Sequence, residues 1–174
     1  SRFSLGARGA QEAPELMDLR RRSRESFDSL PWPTKEDEAW RRTDLSGLDL
    51  DRFVLAPSSE ARLTDVPGAF TDFVGEEDAL VLWGSEGLHR RVGVETESKG
   101  VLFQDLAEAY RQRPDLVGRH LGSLLPAMNS KFSALSGAFW NRGLFVFVPK
   151  GVDAGIVLRG GYAPNLADGQ AAVT

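Results

Sequence analysis

The stretch at residues 128–151 constrains the fold most, because its hydrophobic period changes part-way along. From residue 132 to residue 140 the large apolar side chains recur every three or four positions, as they do on one face of a helix. From residue 144 to residue 148 every side chain is apolar and most are β-branched or aromatic, which predicts a strand buried on both faces. Gly143 stands where a left-handed residue ends a helix. The chain is therefore predicted to pass from a helix directly into a covered sheet.

Length and composition narrow the class of protein. The 174 residues are enough to bury a core. The net charge of -4 does not fit the basic surface that is typical of proteins that bind nucleic acids. No apolar run approaches the ~20 residues of a membrane helix, so we expect a cytoplasmic protein with no membrane partner. The absence of cysteine excludes disulfides and cysteine-ligated metal centres within the chain. Because the sequence lacks an initiator methionine and ends as strands begin, we expect that it is a piece of a longer protein.

The first 30 residues predict a terminus followed by one amphipathic helix. Residues 1–13 mix small, polar and basic side chains without a period, which indicates a mobile terminus. The apolar spacing from Pro14 predicts a helix that ends before Pro31, with the arginines between Arg20 and Arg24 on its solvent face. A basic patch for nucleic acid is the alternative, but acidic residues interleave with these arginines and offset their charge.

Acidic residues cluster after Thr34, which resembles the N-cap of a second helix. Asp37 follows three residues later as in a capping box, and residues 36–38 suit the positive end of a helix dipole. A metal or acid–base role for these acids is disfavoured, because successive helical positions point in different directions and no histidine is near. Trp32 and Trp40 are predicted to be packing anchors.

Other motifs match known sites only in part. The acidic segment that begins at Asp49 lacks the glycine and the closing glutamate of a calcium loop, so we predict a polar turn. Ser85 lies between two nearby glycines, but their spacing is not that of a nucleophile elbow. His89 and His120 are too few for a zinc site made only of histidines. Each histidine is predicted to be structural or at the surface.

Short apolar runs in the second half predict a hairpin, further helices and isolated strands. Residues 79–84 and 87–92 indicate two strands joined by a tight turn. Residues 100–106 predict a strand that turns into a helix, and a further helix starts at Pro114 and carries leucines up to Leu125.

Residues 155–162 predict one more short strand, which comes after the strand of residues 144–148 and a tight link. Two short apolar strands at this spacing suit a sandwich, a barrel or a β-solenoid. Periodicity alone leaves all three open.

Three segments, taken in order, resemble the SufB/SufD family of iron–sulfur cluster assembly proteins, and its SufD branch most. Residues 30–45, with their Leu-Pro, Glu and Trp, are similar to the family's N-terminal segment, although Arg42 stands where an aromatic residue is usual. Residues 100–106 are similar to its short strand-to-helix passage. Residues 131–152 resemble the passage into the family core, with Ser136 in place of the usual asparagine.

The resemblance implies an α+β fold. In this fold a mainly helical N-terminal domain with a small β-hairpin leads into the first strands of a right-handed parallel β-helix, or β-solenoid. The implied boundaries are residues 1–13 for the terminus, 14–142 for the N-terminal domain and 143–174 for the start of the β-helix.

The resemblance also implies a non-enzymatic scaffold subunit. Such a subunit pairs with a SufB-like subunit and docks a SufC-like ATPase in a cytoplasmic machine that builds iron–sulfur clusters. The family's partner-docking and cluster-handling residues lie beyond these segments, so we assign no catalytic, cofactor-binding or metal-binding residue here. We expect no cofactor in this part and a cluster handled by the full complex.

A carbohydrate-active or carbohydrate-binding module from another β-solenoid or β-sandwich group is the alternative, with its site outside these residues. Paired carboxylates facing one groove are the sign of such an enzyme. Within these residues the sequence places no such pair on one strand face.

Overall fold

The computed structural model describes residues 12–56, 61–84, 87–163 and 166–173. Its α-helices are α1 (Pro14–Ser29), α2 (Val94–Ser98), α3 (Leu106–Gln112), α4 (Pro114–His120) and α5 (Lys131–Phe139). Its strands are β1 (Val54–Leu55), β2 (Arg62–Leu63), β3 (Ala79–Trp83), β4 (Leu88–Arg91), β5 (Leu102–Asp105), β6 (Leu144–Phe147), β7 (Leu158–Tyr162) and β8 (Gln170–Ala171). Single 3₁₀ turns occur at Leu50–Arg52, Gly68–Phe70 and Ala127–Asn129. The predicted α+β class is confirmed.

These elements form two compact units. The first unit contains the described residues of Ser1–Ala56, Pro114–Asn141 and Asp168–Thr174. The second contains those of Pro57–Arg113 and Arg142–Ala167. Helices α1, α4 and α5 with strands β1 and β8 therefore belong to the first unit, and the remaining helices and strands to the second.

Helices α1 and α5 build the core of the first unit. Pro14 begins α1 at a position where its missing N–H costs nothing, and Ser130 caps α5 by accepting a hydrogen bond of 3.1 Å from the Ser133 N–H. Ala134 and Ala138 are fully buried one turn apart on α5, and they pack with Phe27 and Phe139 in one apolar cluster. The two predicted helices are confirmed at these positions.

Asn141 joins the strands of the first unit directly after α5. Its side-chain amide donates to the Ala56 carbonyl at 2.9 Å, and its side-chain oxygen accepts from the Val173 N–H at 3.2 Å. The parallel strands β1 and β8 lie just before these two residues in the chain. One buried amide therefore joins the two strands at their carboxyl ends.

The second unit is built on a four-stranded sheet with the order β2-β4-β3-β7. Strands β3 and β4 are antiparallel, which confirms the predicted hairpin, and β7 joins β3 in parallel. Every residue of β3 is buried, and its apolar side chains pack with Leu88 and Phe103. Residues 85 and 86 of the connecting turn, and with them the nucleophile-elbow question at Ser85, lie outside the described residues.

Strand β5 leads directly into α3 and pairs antiparallel with β6. The predicted role of Gly143 as a left-handed helix end is wrong, because α5 ends earlier, at Phe139, and Gly143 does not have a positive φ. Gly143 is required for another reason. A Cβ at this position would lie 2.7 Å from Leu106 Cδ2, and the Gly143 carbonyl accepts the Leu106 N–H at 2.8 Å. The glycine therefore allows β6 to start against the first residue of α3.

The prediction that residues 144–148 are buried on both faces is also wrong. Phe145 is buried, whereas Leu144, Val146 and Val148 are 39%, 47% and 39% exposed. A strand with side chains on alternate faces shows this pattern when only one face is packed. A run of apolar residues does not by itself show whether one face or both faces of a strand are packed.

Two predicted helices differ in the structure. After Thr34 the chain forms successive turns, with hydrogen bonds from Asp37 to Thr34, from Trp40 to Asp37 and from Thr43 to Trp40, and no α-helix. No buried stripe holds this segment in a helix, so the local capping signal at Thr34 stabilises only the first turn. The helix from Pro114 ends at His120 because Gly122 adopts a φ of +75°.

The remaining expectations concern the terminus and the membrane. The predicted mobile terminus falls, as far as residue 11, outside the described residues. Within the part that the structure describes, none of the helices combines the length and the apolar character needed to cross a bilayer.

Candidate functional site

The structure separates the residues that the sequence singled out for chemistry. The acidic residues 36–38 are exposed on turns, and the side chain of Asp49 accepts the Asp51 N–H at 3.0 Å, as the predicted polar turn requires. His89 lies in the second unit and His120 in the first. Among the described residues, no three His, Cys, Asp or Glu side chains lie close enough to hold a metal ion.

His89 is a buried residue of the central strand β4. It is 6% exposed, and neither ring nitrogen has a hydrogen-bond partner among the described residues. The predicted structural role of His89 agrees with this position inside the sheet.

The most elaborate polar site in the first unit is centred on Arg20, which the sequence placed on the solvent face of α1. That placement is wrong, because Arg20 is only 3% exposed. Its guanidinium forms two parallel hydrogen bonds to the Glu12 carboxylate, of 2.8 and 2.9 Å, and donates to the carbonyls of Ala138 at 3.3 Å and Trp140 at 3.0 Å. These carbonyls belong to the C-terminal end of α5, where a cation stabilises the helix dipole.

The sequence held a signal for Arg20 that its residue type obscured. Leu16, Arg20, Ser23 and Phe27 are spaced by four, three and four positions, so they share one face of α1. All four are buried. The position of Arg20 on the buried face of the helix therefore indicates its burial better than its polarity does. Arg21 and Arg22 are exposed, as expected.

Lys131 is the matching cation at the other end of this helix pair. The side chain is 8% exposed and donates to the Leu30 carbonyl at 2.7 Å and to the Phe27 carbonyl. These carbonyls belong to the end of α1, so Lys131 caps α1 as Arg20 caps α5. Its ammonium also lies 4.4 Å from the Phe27 ring centre and 5.3 Å from that of Trp32.

Aromatic side chains attach the irregular segment after α1 to this helix pair. The Trp40 ring stacks on Phe132 at 4.9 Å, and the Trp32 ring meets Phe132 at 5.5 Å and 72°. Phe27 contacts both Trp32 and Phe139 edge to face, at 6.0 and 5.8 Å. Both tryptophans are packing anchors, as predicted, and they hold an otherwise polar segment against α5.

In the second unit, Asp78 gathers the polar groups at the start of β3. Its carboxylate accepts the Gly75 N–H at 2.6 Å and an Arg159 N–H, while Arg91 donates to the Asp78 carbonyl at 3.2 Å. The Gly75 N–H, followed by the Arg159 guanidinium, lowers the pKa of the Asp78 carboxyl from its usual value. The cluster links β3, β4 and β7 and is fully paired, so it is suited to stability rather than to catalysis.

Taken together, these polar groups position helices and strands. Cations cap α1 and α5 in the first unit, and an aspartate ties three strands of the second. These groups therefore stabilise the fold.

Comparison with known proteins decides the family. A family model described as the SufBD protein N-terminal region matches residues 8–158, which is most of the chain. The chain belongs to the SufBD family. The predicted resemblance is therefore confirmed at the level of the family, while the choice between SufB and SufD stays a prediction.

Curated relatives of the SufBD chain agree with the family match. The chain is 29% identical to the iron–sulfur cluster assembly protein SufB of Bacillus subtilis over 91% of the chain's length. It is 30% identical to an iron–sulfur cluster assembly SufBD family protein of Staphylococcus saprophyticus over 89% of the chain's length. It is 36% identical to a SufBD family cluster assembly protein of Mycobacterium bovis over 86%. The chain spans 36%, 36% and 19% of the length of these relatives.

Proposed function

We propose that this chain is the N-terminal part of a SufD-like scaffold subunit in a SufBCD-type iron–sulfur cluster assembly complex. The subunit is non-catalytic and cytoplasmic, pairs with a SufB-like subunit and docks a SufC-like ATPase. The observation that carries the proposal is the family match over residues 8–158, together with relatives named as iron–sulfur cluster assembly proteins. The SufD assignment rests on the three ordered sequence segments.

The proposal includes a β-helix after the N-terminal domain, with residues 143–174 as its first strands. Two observations support it. Among the described residues, β7 pairs with β3 in parallel and is the edge strand of its sheet. Its other edge can therefore pair with a further strand. The outer face of β6 exposes Leu144 and Val146, which a further layer of strands would bury.

The cluster enters this proposal as cargo of the whole complex. The sequence has no cysteine, the usual ligand of iron–sulfur clusters, and the described residues contain no group that could hold a metal ion. We therefore propose that no cofactor is held by these residues and that the rest of the complex handles the cluster.

Co-purification tests the partners. The full-length protein, tagged and expressed in its own host, is expected to elute together with an ATPase and a second SufBD family subunit, with the stoichiometry read from light scattering and mass spectrometry. A monomer that carries no ATPase under mild salt would overturn the scaffold proposal.

A matched pair of variants tests the β-helix. Val146 is 47% exposed in the described residues and Val94 is 82% exposed. In the full-length protein Val146→Asp is expected to lower the melting temperature, because further strands cover this face, and Val94→Asp is expected to leave it unchanged. Equal, small effects of both substitutions would mean that no further layer covers β6.

A further inference from the structure

The first unit carries a groove between α1, α5 and the loop that precedes α5. Its volume is about 460 Å³. Its apolar lining includes Leu19, Leu121, Ala127 and Trp140. The proposed function assigns no role to this groove.

The loop beside the groove exposes an unusual amount of apolar surface. Leu124 is 97% exposed, Leu125 is 61% exposed and Met128 is 65% exposed. These three residues come after Gly122, whose left-handed conformation ends α4 and turns the chain away from the helix. All three line the groove, so its open side is a contiguous apolar wall of the kind that marks a protein contact.

The polar part of the groove lining contains a cation but no carboxylate among the described residues. The Trp140 indole N–H and the Ser23 hydroxyl are buried and have no hydrogen-bond partner in the described part of the chain. Arg22 and His120 supply the titratable side chains of the lining, and no carboxylate is found among the lining residues that the structure describes. Because those two buried atoms are closed off from solvent, an incoming acceptor meets Arg22 instead, with no carboxylate of the described lining beside it.

Arg22 is positioned to bind an incoming anion. Its guanidinium lies 3.3 Å from the Asp18 carboxylate, and the same carboxylate is bound more closely by Arg21. The side chain of Arg22 is 63% exposed and carries more donors than this one contact employs. A carboxylate that enters the groove can therefore take a charge-assisted hydrogen bond from Arg22.

We propose that this groove binds a short acidic and apolar segment of a partner protein. Apolar side chains of the segment pack against Leu124, Leu125 and Met128, and one of its carboxylates pairs with Arg22. The complementarity in charge, rather than the apolar surface alone, selects this occupant.

Two other occupants fit the observations less well. A second copy of this chain in a two-fold contact presents the same patch, so Arg22 and His120 would face a surface that also lacks carboxylates in its lining. An anionic lipid surface offers acceptors, but it is flat and does not fill a concave groove.

Fluorescence anisotropy with two labelled peptides tests the proposal on the full-length protein. One probe is a helical 12-residue peptide, about three turns long, with leucines at three-and-four spacing and glutamates elsewhere; the other has lysine in place of every glutamate. We expect saturable binding of the glutamate peptide in the micromolar range, weakened by salt, and binding of the lysine peptide at least about tenfold weaker.

Matched variants locate the binding site. Arg22→Gln is expected to weaken binding of the glutamate peptide about tenfold, and Leu124→Ser about fivefold. The controls are Arg41→Gln, which removes an exposed arginine that pairs with Glu38 at 3.2 Å, and Val94→Ser, which removes an exposed valine outside the groove. Both controls are expected to change the affinity less than about twofold. Circular dichroism verifies that every variant is folded.

Several results would overturn the proposal. These are no saturable binding of the glutamate peptide, equal binding of both peptides, or equal effects of the groove variants and their controls. Dimerisation that Leu124→Ser abolishes, without peptide binding, assigns the groove to a second copy instead. Binding to anionic vesicles without peptide binding assigns it to a lipid surface. Each result is independent of whether the protein co-purifies with an ATPase.

Discussion

The guanidinium carbon of Arg20 lies 4.2 Å from the centre of the Trp140 ring, and one guanidinium nitrogen donates to the Trp140 carbonyl at 3.0 Å. Arg20 comes from the middle of α1, and Trp140 directly follows α5. A cation from one helix thus holds the end of the other through its ring and its backbone together. The end of α5 is fixed at this point before the chain leaves the first unit.

Replacement of Arg20 by alanine is expected to cost about 3 kcal/mol of unfolding free energy, because it leaves the Ala138 and Trp140 carbonyls without their buried donor. Urea denaturation followed by circular dichroism measures the change. Arg21→Ala is the control, since the Arg21 side chain is 59% exposed and its ion pairs should contribute less than about 1 kcal/mol. Similar losses for the two variants would contradict the role of Arg20.

Trp140→Ala removes the ring beneath this guanidinium. Trp140 is 5% exposed, so the substitution is expected to destabilise by about 3–5 kcal/mol and to promote aggregation. Equilibrium unfolding and light scattering measure the two effects. A loss below about 1 kcal/mol would show that the ring does not support the end of α5.

Lys131→Met tests the cap at the end of α1. Methionine keeps most of the apolar stem but donates no hydrogen bond to the Phe27 and Leu30 carbonyls, so we expect a loss of about 1–3 kcal/mol. The matched control is Lys35→Met, because Lys35 is 63% exposed and pairs with Asp44 on the surface. If thermal melts of the two variants coincide, Lys131 does not act as a cap.

The sequence predicted helices α1 and α5, the β3–β4 hairpin and the β5–α3 passage, because each has a complete local pattern. It failed where distant contacts decide. Gly143 was assigned to a helix end, although Leu106 from another element requires the glycine. The run after Gly143 was taken as buried on both faces, although the described residues cover one face only.

The candidate sites show the same limit. Arg20 and Lys131 were hidden because both donate to backbone carbonyls of a distant helix, and no sequence pattern records a carbonyl more than 100 residues away. The groove was hidden for a related reason. A leucine-rich run predicts burial, whereas Leu124 is 97% exposed because Gly122 ended its helix.

Phe132→Ala is expected to release the segment that Trp32 and Trp40 anchor. The phenyl ring contacts both indoles, so its loss removes two aromatic pairs and should cost about 2–3 kcal/mol. We expect a red shift of tryptophan emission and faster proteolysis within residues 31–48. Phe73→Ala, at a ring that is 71% exposed, is the control and should change neither readout. Unchanged emission in Phe132→Ala would mean that the tryptophans are held by other contacts.

The ionisation of Asp78 is expected to make the stability of the protein depend on pH in the acid range. Hydrogen bonding to the Gly75 N–H, and then to Arg159, lowers the pKa of this group in the folded state from its ordinary value of 3.8. The folded state therefore favours the ionised carboxylate, and this stabilisation is complete above pH 3.8 and is lost as the pH falls through the folded-state pKa. Asp78→Asn is expected to lower the melting temperature by the same amount from neutral pH down to about pH 5, and by less below about pH 4.

Melting curves of the wild type, Asp78→Asn and Asp72→Asn across this pH range provide the measurement. Asp72 is exposed, so its substitution controls for the general change in charge. A difference in melting temperature between the wild type and Asp78→Asn that stays constant down to about pH 3 would show that the substitution removes only packing or a neutral hydrogen bond. A gap that closes in acid, with Asp72→Asn close to the wild type throughout, assigns the stabilisation to the ionised carboxylate that joins β3, β4 and β7.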